Sequence, residues 1–324
     1  MKNKFQVSMP IIVTAGATYL DIDAYACMVA MAELLRLQGV NAIAYSIAPC
    51  NYSVCQTLIE EGKILRELPL NFDSETAKYI IVDVSDPEFL KNSVPLNQVN
   101  RVYDHHVGFE NYWLERINEG AHIEFIGAAA TLIYREWKKA DMLDKMTSST
   151  AKLLIAAILD NTLNLTSSVT TQEDIDAFND LCKRWGIGKD WCAAYFSEVQ
   201  TNIEVDLRNA LFGDVKIVRD NSVLPSRIGQ LAVWNVDSIL NRVEEIREWF
   251  NNCYDTWMLN IIDIQHNCNY FVCNNTGYQR KIEQVFDVRF EMGIAKTSIS
   301  YLRKEIIKKT VVESKKYSII SKVY

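Results

Sequence analysis

The sequence predicts an α/β protein, with an N-terminal domain whose mostly parallel sheet is flanked by helices and a smaller C-terminal α/β domain with a mixed sheet. Three observations predict this. Strand-like apolar runs alternate with segments of helical periodicity over the first part of the chain, which is typical of β-α-β units. After about residue 206 the pattern changes to several strands with few helices between them. The length of 324 residues also favours two domains.

The N-terminal domain begins with an apolar run that ends at Gly16. Apolar residues then recur at helical spacing from Ala24 to Leu35 until Gly39 stops the helix. Strands are predicted at 9–16, 40–48, 79–83 and 99–104. Helices are predicted at about 24–35, 51–66, 127–140, 148–159 and 172–185. The helix at 148–159 is apolar on nearly all sides, so we expect it to be buried.

The C-terminal domain is predicted to have its own sheet. Its strands fall at 228–236, 257–264 and 270–273, with a helix at about 236–251. A polar, mixed stretch near 190–206 is the predicted linker, which gives domains of 1–195 and 206–324. The basic run from Lys304 to Lys316 alternates with acids and is typical of a solvated helix face.

Composition and charge exclude several classes of function. Hydrophobic residues make up 49% of the chain and charged residues 23%, so a large core is expected. The net charge of −7 gives no general attraction for nucleic acid or anionic lipid, and we find no signal peptide or membrane span. None of the eight cysteines forms a Cys-x-x-Cys pair, which favours reduced thiols and a cytoplasmic protein. We expect a small-molecule ligand and no nucleic-acid or membrane partner, and the sequence leaves a homodimer open.

The triplet Asp104-His105-His106 is the most informative motif in the chain. It follows a short strand and contains two of the four histidines. Imidazole and carboxylate are ligands for divalent ions such as manganese, iron, cobalt and zinc, so the triplet can form one wall of a metal site. The alternative is a buried His held by a neighbouring Asp at a strand end. His122 and His266 each stand alone and are expected to be structural.

Further carboxylates occur where a strand or the buried helix gives way to a loop. They are Asp21, Asp23, Asp83 and Asp160. Ligands of open parallel sheets bind at the carboxyl ends of the strands, and acids gathered there would repel one another unless cations lay between them. We therefore predict a two-metal site. The alternatives are that Asp23 caps the following helix, that Asp160 caps a turn and that Asp83 is an ordinary loop acid.

The order of these motifs resembles the DHH phosphoesterase superfamily. Its four N-terminal motifs are similar to Asp21-Ile22-Asp23-Ala24, Val82-Asp83, Asp104-His105-His106 and Asp160-Asn161-Thr162. The segments 126–131 and 157–163 look like those of family II inorganic pyrophosphatases. Phe212–Lys216 and Gln279–Lys281 resemble basic segments of the C-terminal domain that these enzymes share with exopolyphosphatases and prune-like proteins.

The resemblance implies a site with two divalent ions, with manganese preferred and magnesium or cobalt as alternatives. Asp21 and Asp83 would hold one ion, and Asp83 would bridge to the second. The ligands of the second ion would be Asp23, Asp83, His105 and Asp160. His106 would contact the substrate phosphate, with Asp83 and His106 central to catalysis, and Asp104 would support the His pair. Lys216, Arg280 and Lys281 would close over the phosphates from the second domain.

Two departures from the pyrophosphatase pattern separate this chain from that group. Pyrophosphatases have a metal-binding His four residues before the first Asp of motif one, where Ala17 stands here. The exopolyphosphatase and prune-like branch also lacks that His. A second His follows the Asp of motif two in pyrophosphatases, whereas Val84-Ser85-Asp86 resembles a branch that acts on nucleotide phosphates and short oligonucleotides. That branch ends in a glycine-rich module with a His, which we do not find in this sequence.

These features predict a metal-dependent phosphoesterase or phosphoanhydride hydrolase that acts on inorganic polyphosphate or pyrophosphate. The alternatives are a nucleotide or oligonucleotide phosphatase of the same superfamily and a catalytically degenerate phosphate-binding or nucleotide-binding regulator. Phosphate release or tight binding without turnover distinguishes the enzyme from the regulator.

Overall fold

The computed structural model describes residues 10–16, 19–62, 64–68 and 76–320. The chain forms two compact units. The first comprises Met1–Leu165 and Val169–Tyr195, and the second comprises Thr166–Ser168 and Phe196–Tyr324. The predicted position Ala17 lies outside the described residues.

The described part of the first unit contains a parallel five-stranded sheet, which confirms the predicted fold class. Its strands are β1 (Ile11–Thr14), β2 (Ala42–Ala44), β3 (Lys78–Val82), β4 (Val99–Asp104) and β5 (Ala121–Ile123). Their order in the sheet is β2-β1-β3-β4-β5. In a doubly wound sheet of this order the chain connections diverge between β1 and β3, and a crevice opens at the carboxyl ends of those two strands.

Helices flank the sheet. They are α1 (Ile22–Leu37), α2 (Gln56–Glu61), α3 (Pro87–Leu90), α4 (Glu110–Ile117), α5 (Ala129–Lys139), α6 (Ser148–Asn161), α7 (Gln172–Trp185) and α8 (Lys189–Val205). Three-residue 3₁₀ turns lie at Leu96–Gln98, Asn118–Gly120 and Leu143–Lys145. α6 packs against α1, and both are buried on most sides, as the apolar sequence of α6 predicts.

Helix termini in this unit follow local capping chemistry. α1 begins where the side chain of Asp21 accepts a hydrogen bond from the amide of Ala24 at 2.9 Å. It ends before Gly39, whose φ of +81° is a left-handed conformation that favours glycine. α7 begins with a capping box between Thr171 and Asp174.

One predicted helix in this unit is shorter than expected, and the stretch predicted as a linker is helical. The helix predicted at 51–66 is only the six-residue α2, because the side chain of Asn51 accepts hydrogen bonds from Ser53 and holds 51–55 in a turn. The stretch predicted as a linker at 190–206 is α8. Its glycines at 186 and 188 precede the helix, and its buried residues recur at helical spacing, at Cys192, Tyr195, Phe196, Val199 and Ile203.

The second unit contains the predicted mixed sheet. Its described strands, in the order β10-β9-β8-β7-β6, are β6 (Val215–Ile217), β7 (Arg227–Val233), β8 (Met258–Asp263), β9 (Cys268–Cys273) and β10 (Ile294–Lys296). β7 and β8 are parallel, and the other pairs are antiparallel. Its helices are α9 (Leu207–Gly213), α10 (Asp237–Leu240), α11 (Val243–Asn251), α12 (Thr276–Phe286) and α13 (Arg303–Ile320). The single helix predicted at 236–251 is therefore interrupted at Asn241 and Arg242.

Across the described residues of both units, no helix has the length and apolar character needed to cross a membrane.

Candidate metal centre

The carboxyl ends of β1, β3 and β4 deliver polar side chains to one edge of the first sheet. Asp21 follows β1, Asp83 follows β3, and His105 and His106 follow β4. β1 and β3 are neighbours at the point where the chain connections diverge, so Asp21 and Asp83 flank the crevice that this topology creates. The sheet therefore gathers residues that are more than eighty positions apart in the sequence.

Asp83 has an uncommon backbone conformation and an unsatisfied side-chain oxygen. Its φ of 57° lies in the left-handed region, which few residues other than glycine adopt. Its amide still donates to the carbonyl of Tyr103 at 2.8 Å, so the strand pairing continues up to this residue. Its Oδ1 is buried and has no hydrogen-bond partner among the described residues. A buried carboxylate oxygen without a donor is costly for a protein, and a bound cation would satisfy it.

His105 is oriented as a ligand-type imidazole. Its Nδ1 lies 3.2 Å from the carbonyl oxygen of Ile126, which can only accept, so the Nδ1 N–H donates to that carbonyl and Nε2 is the ring nitrogen that faces the site. Nε2 lies 3.5 Å from Asp83 Oδ1, and both side chains are nearly buried. A histidine that donates one ring N–H to a carbonyl and offers its other nitrogen to a carboxylate pocket has the arrangement found for metal ligands.

His106 has a different environment. Its backbone amide and its Nδ1 both face Oδ1 of the buried Asp104, at 3.1 and 2.9 Å. Burial lowers the pKa of His106, but the hydrogen bond and charge of Asp104 outweigh it and the net shift is upward. The side chain is 63% exposed, so Nε2 of the ring is available to an incoming ligand. Ser85 fixes the same loop from the other side by donating its hydroxyl to the carbonyl of His106 at 3.1 Å.

Asp23 is fully buried behind this edge of the sheet. Its Oδ2 accepts a hydrogen bond from the amide of Ala129 at 2.7 Å, and its Oδ1 accepts one from the amide of Ala130 at 2.8 Å. The Sγ of Cys27 lies 3.4 Å from the same Oδ1. Asp23 thus caps the N-terminus of α5, while Asp21 caps α1, so the alternative that Asp23 caps the following helix is wrong.

Asp160 lies in the last turn of α6 and not in the loop after it. Its Oδ1 accepts a hydrogen bond from the hydroxyl of Tyr195 on α8 at 3.1 Å. Burial and the charge of Asp21 raise the pKa of Asp160 to about 7, against an ordinary value of 3.8. No sequence pattern indicates the contact with Tyr195, because the two residues lie on different helices.

The carboxylates of the centre repel one another. Burial, followed by the charge of Asp21, raises the pKa of Asp23 to about 8. The same causes, with added repulsion from Asp23 and Asp104, hold the pKa of Asp83 well above its ordinary range. Within the described residues, no Lys or Arg forms an ion pair with Asp21, Asp23, Asp83 or Asp160. Such a set is stable as anions only with cations between its members, so the residues present fit a divalent metal centre.

The structure brings part of the predicted site together directly. Ligand atoms of Asp83, His105 and His106 lie within 4.8 Å of one another, which groups His106 with the two predicted ligands. Asp21 acts electrostatically on Asp23, Asp83 and Asp160.

The predicted phosphate contacts lie in the second unit. Lys216 is exposed on β6, and Arg280 is exposed on α12. Lys281 donates from Nζ to the carbonyl of Ser222 at 2.6 Å. Their role stays a prediction.

A cavity of about 190 Å³ opens at the centre. Asp21, Asp83 and His106 form its polar wall. Tyr19 and Phe89 line the same cavity and are 55% and 60% exposed. Two aromatic side chains therefore stand beside the polar wall of this cavity. Sequence reasoning missed both, since neither belongs to a recognisable motif.

The chain is similar over most of its length to proteins named as manganese-dependent inorganic pyrophosphatases. It is 25% identical over 313 residues to a protein of Deinococcus radiodurans named a probable manganese-dependent inorganic pyrophosphatase, covering 90% of this chain and 94% of that protein. A protein of the same name from Bacillus pumilus is 26% identical over 294 residues, with 85% and 89% covered. No family model matches the chain.

Solved structures share the fold. A structure described as a family II inorganic pyrophosphatase of Methanococcus jannaschii superposes with a TM-score of 0.61 at 16% identity, covering 93% of this chain and 99% of that one. An exopolyphosphatase-related protein of Bacteroides fragilis gives 0.51 at 12% identity, with 97% and 94% covered. The resemblance read from the motifs is therefore confirmed, and so is the two-domain α/β fold class.

Proposed function

We propose that this protein is a metal-dependent phosphohydrolase that cleaves a phosphoanhydride bond of pyrophosphate or inorganic polyphosphate. The observation that carries the proposal is the buried, mutually repelling carboxylate group at the carboxyl ends of β1 and β3, with Asp83 Oδ1 left without a donor among the described residues. The homologues' names include manganese-dependent pyrophosphatase, which supports manganese as the metal and a small phosphate compound as the substrate. None of the eight cysteines, which all lie in the described part of the chain, forms a disulfide, and this supports a reducing compartment and hence the cytoplasm.

The donor set supports two ions. We assign one to Asp21 and Asp83, and the other to Asp23, Asp83, His105 and Asp160, with Asp83 shared. Bound divalent ions would lower the pKa of a water molecule and shield the phosphoryl oxygens. Asp23 and His105 are held for this role by the backbone of the segment 126–130, and Asp160 by the hydroxyl of Tyr195.

His106 supplies the phosphate contact on the open side of the centre. Asp104 fixes the Nδ1 side of the ring, so Nε2 points away from that carboxylate. The upward shift of the His106 pKa favours an imidazolium that donates a charge-assisted hydrogen bond to a phosphate oxygen.

We propose that Lys216, Arg280 and Lys281 add further phosphate contacts, and that each of them affects substrate binding without affecting metal binding.

A second candidate function is hydrolysis of a nucleotide phosphate. The observation that favours it is the pair Tyr19 and Phe89, which offers planar apolar surface in the same cavity as Asp83 and His106. An aromatic face of this kind can stack on a nucleobase. Pyrophosphate has no ring that could make this contact.

Phosphate release from pyrophosphate, polyphosphate and nucleotides in the presence of manganese tests both candidates. Turnover of pyrophosphate or polyphosphate supports the first, and turnover of nucleotides alone supports the second. Tight binding of a non-hydrolysable phosphate analogue with no turnover on any of these substrates would contradict both and identify a regulator on this scaffold.

A further inference from the structure

The buried residue Asp174 contacts the metal centre only through other residues. It lies in the first turn of α7, is fully buried, and accepts hydrogen bonds from the amide and the hydroxyl of Thr171, each at 2.7 Å. The bond from the Thr171 amide, together with the bond from the Asp174 amide to the Thr171 hydroxyl at 3.3 Å, forms the capping box of α7. The same carboxylate also accepts from the amide of Gly127 at 2.9 Å and from the hydroxyl of Thr131 at 2.6 Å. A helix cap needs neither of these last two bonds, so they serve something else.

Gly127 and Thr131, the two partners of Asp174 outside its own helix cap, belong to one short stretch, the 126–131 segment, which includes the start of α5. On its other side this segment contacts two predicted metal ligands. The carbonyl of Ile126 accepts from His105, and the amides of Ala129 and Ala130 donate to Asp23. The segment is thus fixed by Asp174 on one side and orients an imidazole and a carboxylate on the other.

The packing around Gly127 makes this arrangement rigid. A Cβ at that position would lie 2.5 Å from Asp174 Oδ2 and 2.7 Å from the Cγ2 of Thr162, so only glycine allows the backbone to approach this closely. The amide of Gly127 immediately follows the carbonyl of Ile126 in the same peptide unit. A shift of the carboxylate of Asp174 therefore moves the carbonyl that sets the tautomer of His105.

We propose that Asp174, with Thr131, is a positioning residue that sets the affinity of the centre for its metal ions. The inference rests on the proposed function, because it assumes that His105 and Asp23 bind metal. Outer hydrogen-bond partners of metal ligands typically change metal affinity by about 10- to 100-fold when they are removed. A carboxylate that served only to cap α7 would leave metal affinity unchanged.

The test compares manganese affinity in variants that differ by one hydroxyl. Thr131→Val removes the hydroxyl that donates to Asp174 and keeps the side-chain shape, while Thr131→Ser retains the hydroxyl. Tyr134→Phe is the matched control, because the Tyr134 hydroxyl joins the same two helices, α5 and α7, by a bond of 2.8 Å to Asp180 without touching the 126–131 segment. Manganese dissociation constants are measured from the electron paramagnetic resonance signal of free Mn²⁺, alongside thermal unfolding of each metal-free variant.

We expect Thr131→Val to weaken manganese binding about tenfold, with Thr131→Ser and Tyr134→Phe within about twofold of wild type. Asp174→Asn should weaken binding further, and if it does not fold, Thr131→Val decides the question alone. Equal affinities for wild type and Thr131→Val would overturn the inference, as would an equal loss in Tyr134→Phe. Absence of manganese binding in the wild-type protein would instead contradict the proposed function. Failure of the positioning role and failure of the proposed function are therefore distinguishable.

Discussion

Replacing Asp83 with Asn should stabilise the metal-free protein while abolishing metal binding. Asn tolerates the left-handed φ of 57° at this position, so the substitution changes charge with little backbone strain. In the unfolded chain the carboxyl of Asp83 ionises near its ordinary pKa of 3.8, whereas burial and the neighbouring acids raise the pKa well above that value in the folded protein. The folded state therefore binds more protons than the unfolded state above pH 3.8, and the free energy of unfolding falls as the pH rises.

The size of this effect follows from the pH interval. Each pH unit between the unfolded and folded pKa values costs about 1.4 kcal/mol, so the ceiling for one carboxyl at pH 8 is about 6 kcal/mol. Because Asp83 shares its protonation with the other acids of the centre, we expect Asp83→Asn to raise the free energy of unfolding at pH 8 by less than this ceiling. At pH 5 the interval is short, and the gain should shrink to about 1 kcal/mol.

Urea unfolding in EDTA at pH 5 and pH 8, repeated with manganese, measures both effects. Asp263→Asn serves as the control, since Asp263 is a buried acid at the end of β8 in the other unit and accepts a hydrogen bond from the amide of His266. That variant should lose stability and keep its response to manganese. The reasoning is refuted if Asp83→Asn is less stable than wild type at pH 8 without metal, or if manganese stabilises it as much as wild type.

Four further substitutions separate the roles within the site. His106→Gln should lower kcat/KM for pyrophosphate by about 100-fold or more while manganese affinity changes little, and a variant with wild-type kinetics would contradict the phosphate contact. Tyr195→Phe removes the hydroxyl bonded to Asp160 and should weaken manganese binding about tenfold by calorimetric titration, and an unchanged dissociation constant would exclude a positioning role. Arg280→Ala and Lys281→Ala should each raise KM for pyrophosphate by about tenfold with unchanged manganese binding, and unchanged KM values would remove these residues from the site.

Much of the fold could be predicted because its signals are local. The buried helix α6 is apolar on nearly all sides and begins at the predicted residue. α7 spans 172–185 as predicted, since Thr171 and Asp174 form a capping box within a few residues of each other. The stretch at 190–206 is polar and mixed in composition, which predicts a linker, but its buried residues recur at helical spacing and it forms most of α8.

The candidate site also contains residues with local sequence signals and residues without them. Asp83 and the pair His105 and His106 stand in short motifs at strand ends, where the sequence alone indicates a metal site. Tyr195 and Asp174 could not be found in this way, because their contacts with the centre or its supporting segment span 35 and 47 residues. Such contacts depend on how helices pack, and a single sequence carries no local signal for them.

Phosphate release from pyrophosphate by metal-stripped protein, before and after addition of manganese, tests the central claim most directly. We predict release that requires manganese, stops on addition of EDTA and is absent in Asp83→Asn. Release that persists in EDTA, or that Asp83→Asn retains at the wild-type rate, would contradict a metal-dependent phosphohydrolase built around Asp83.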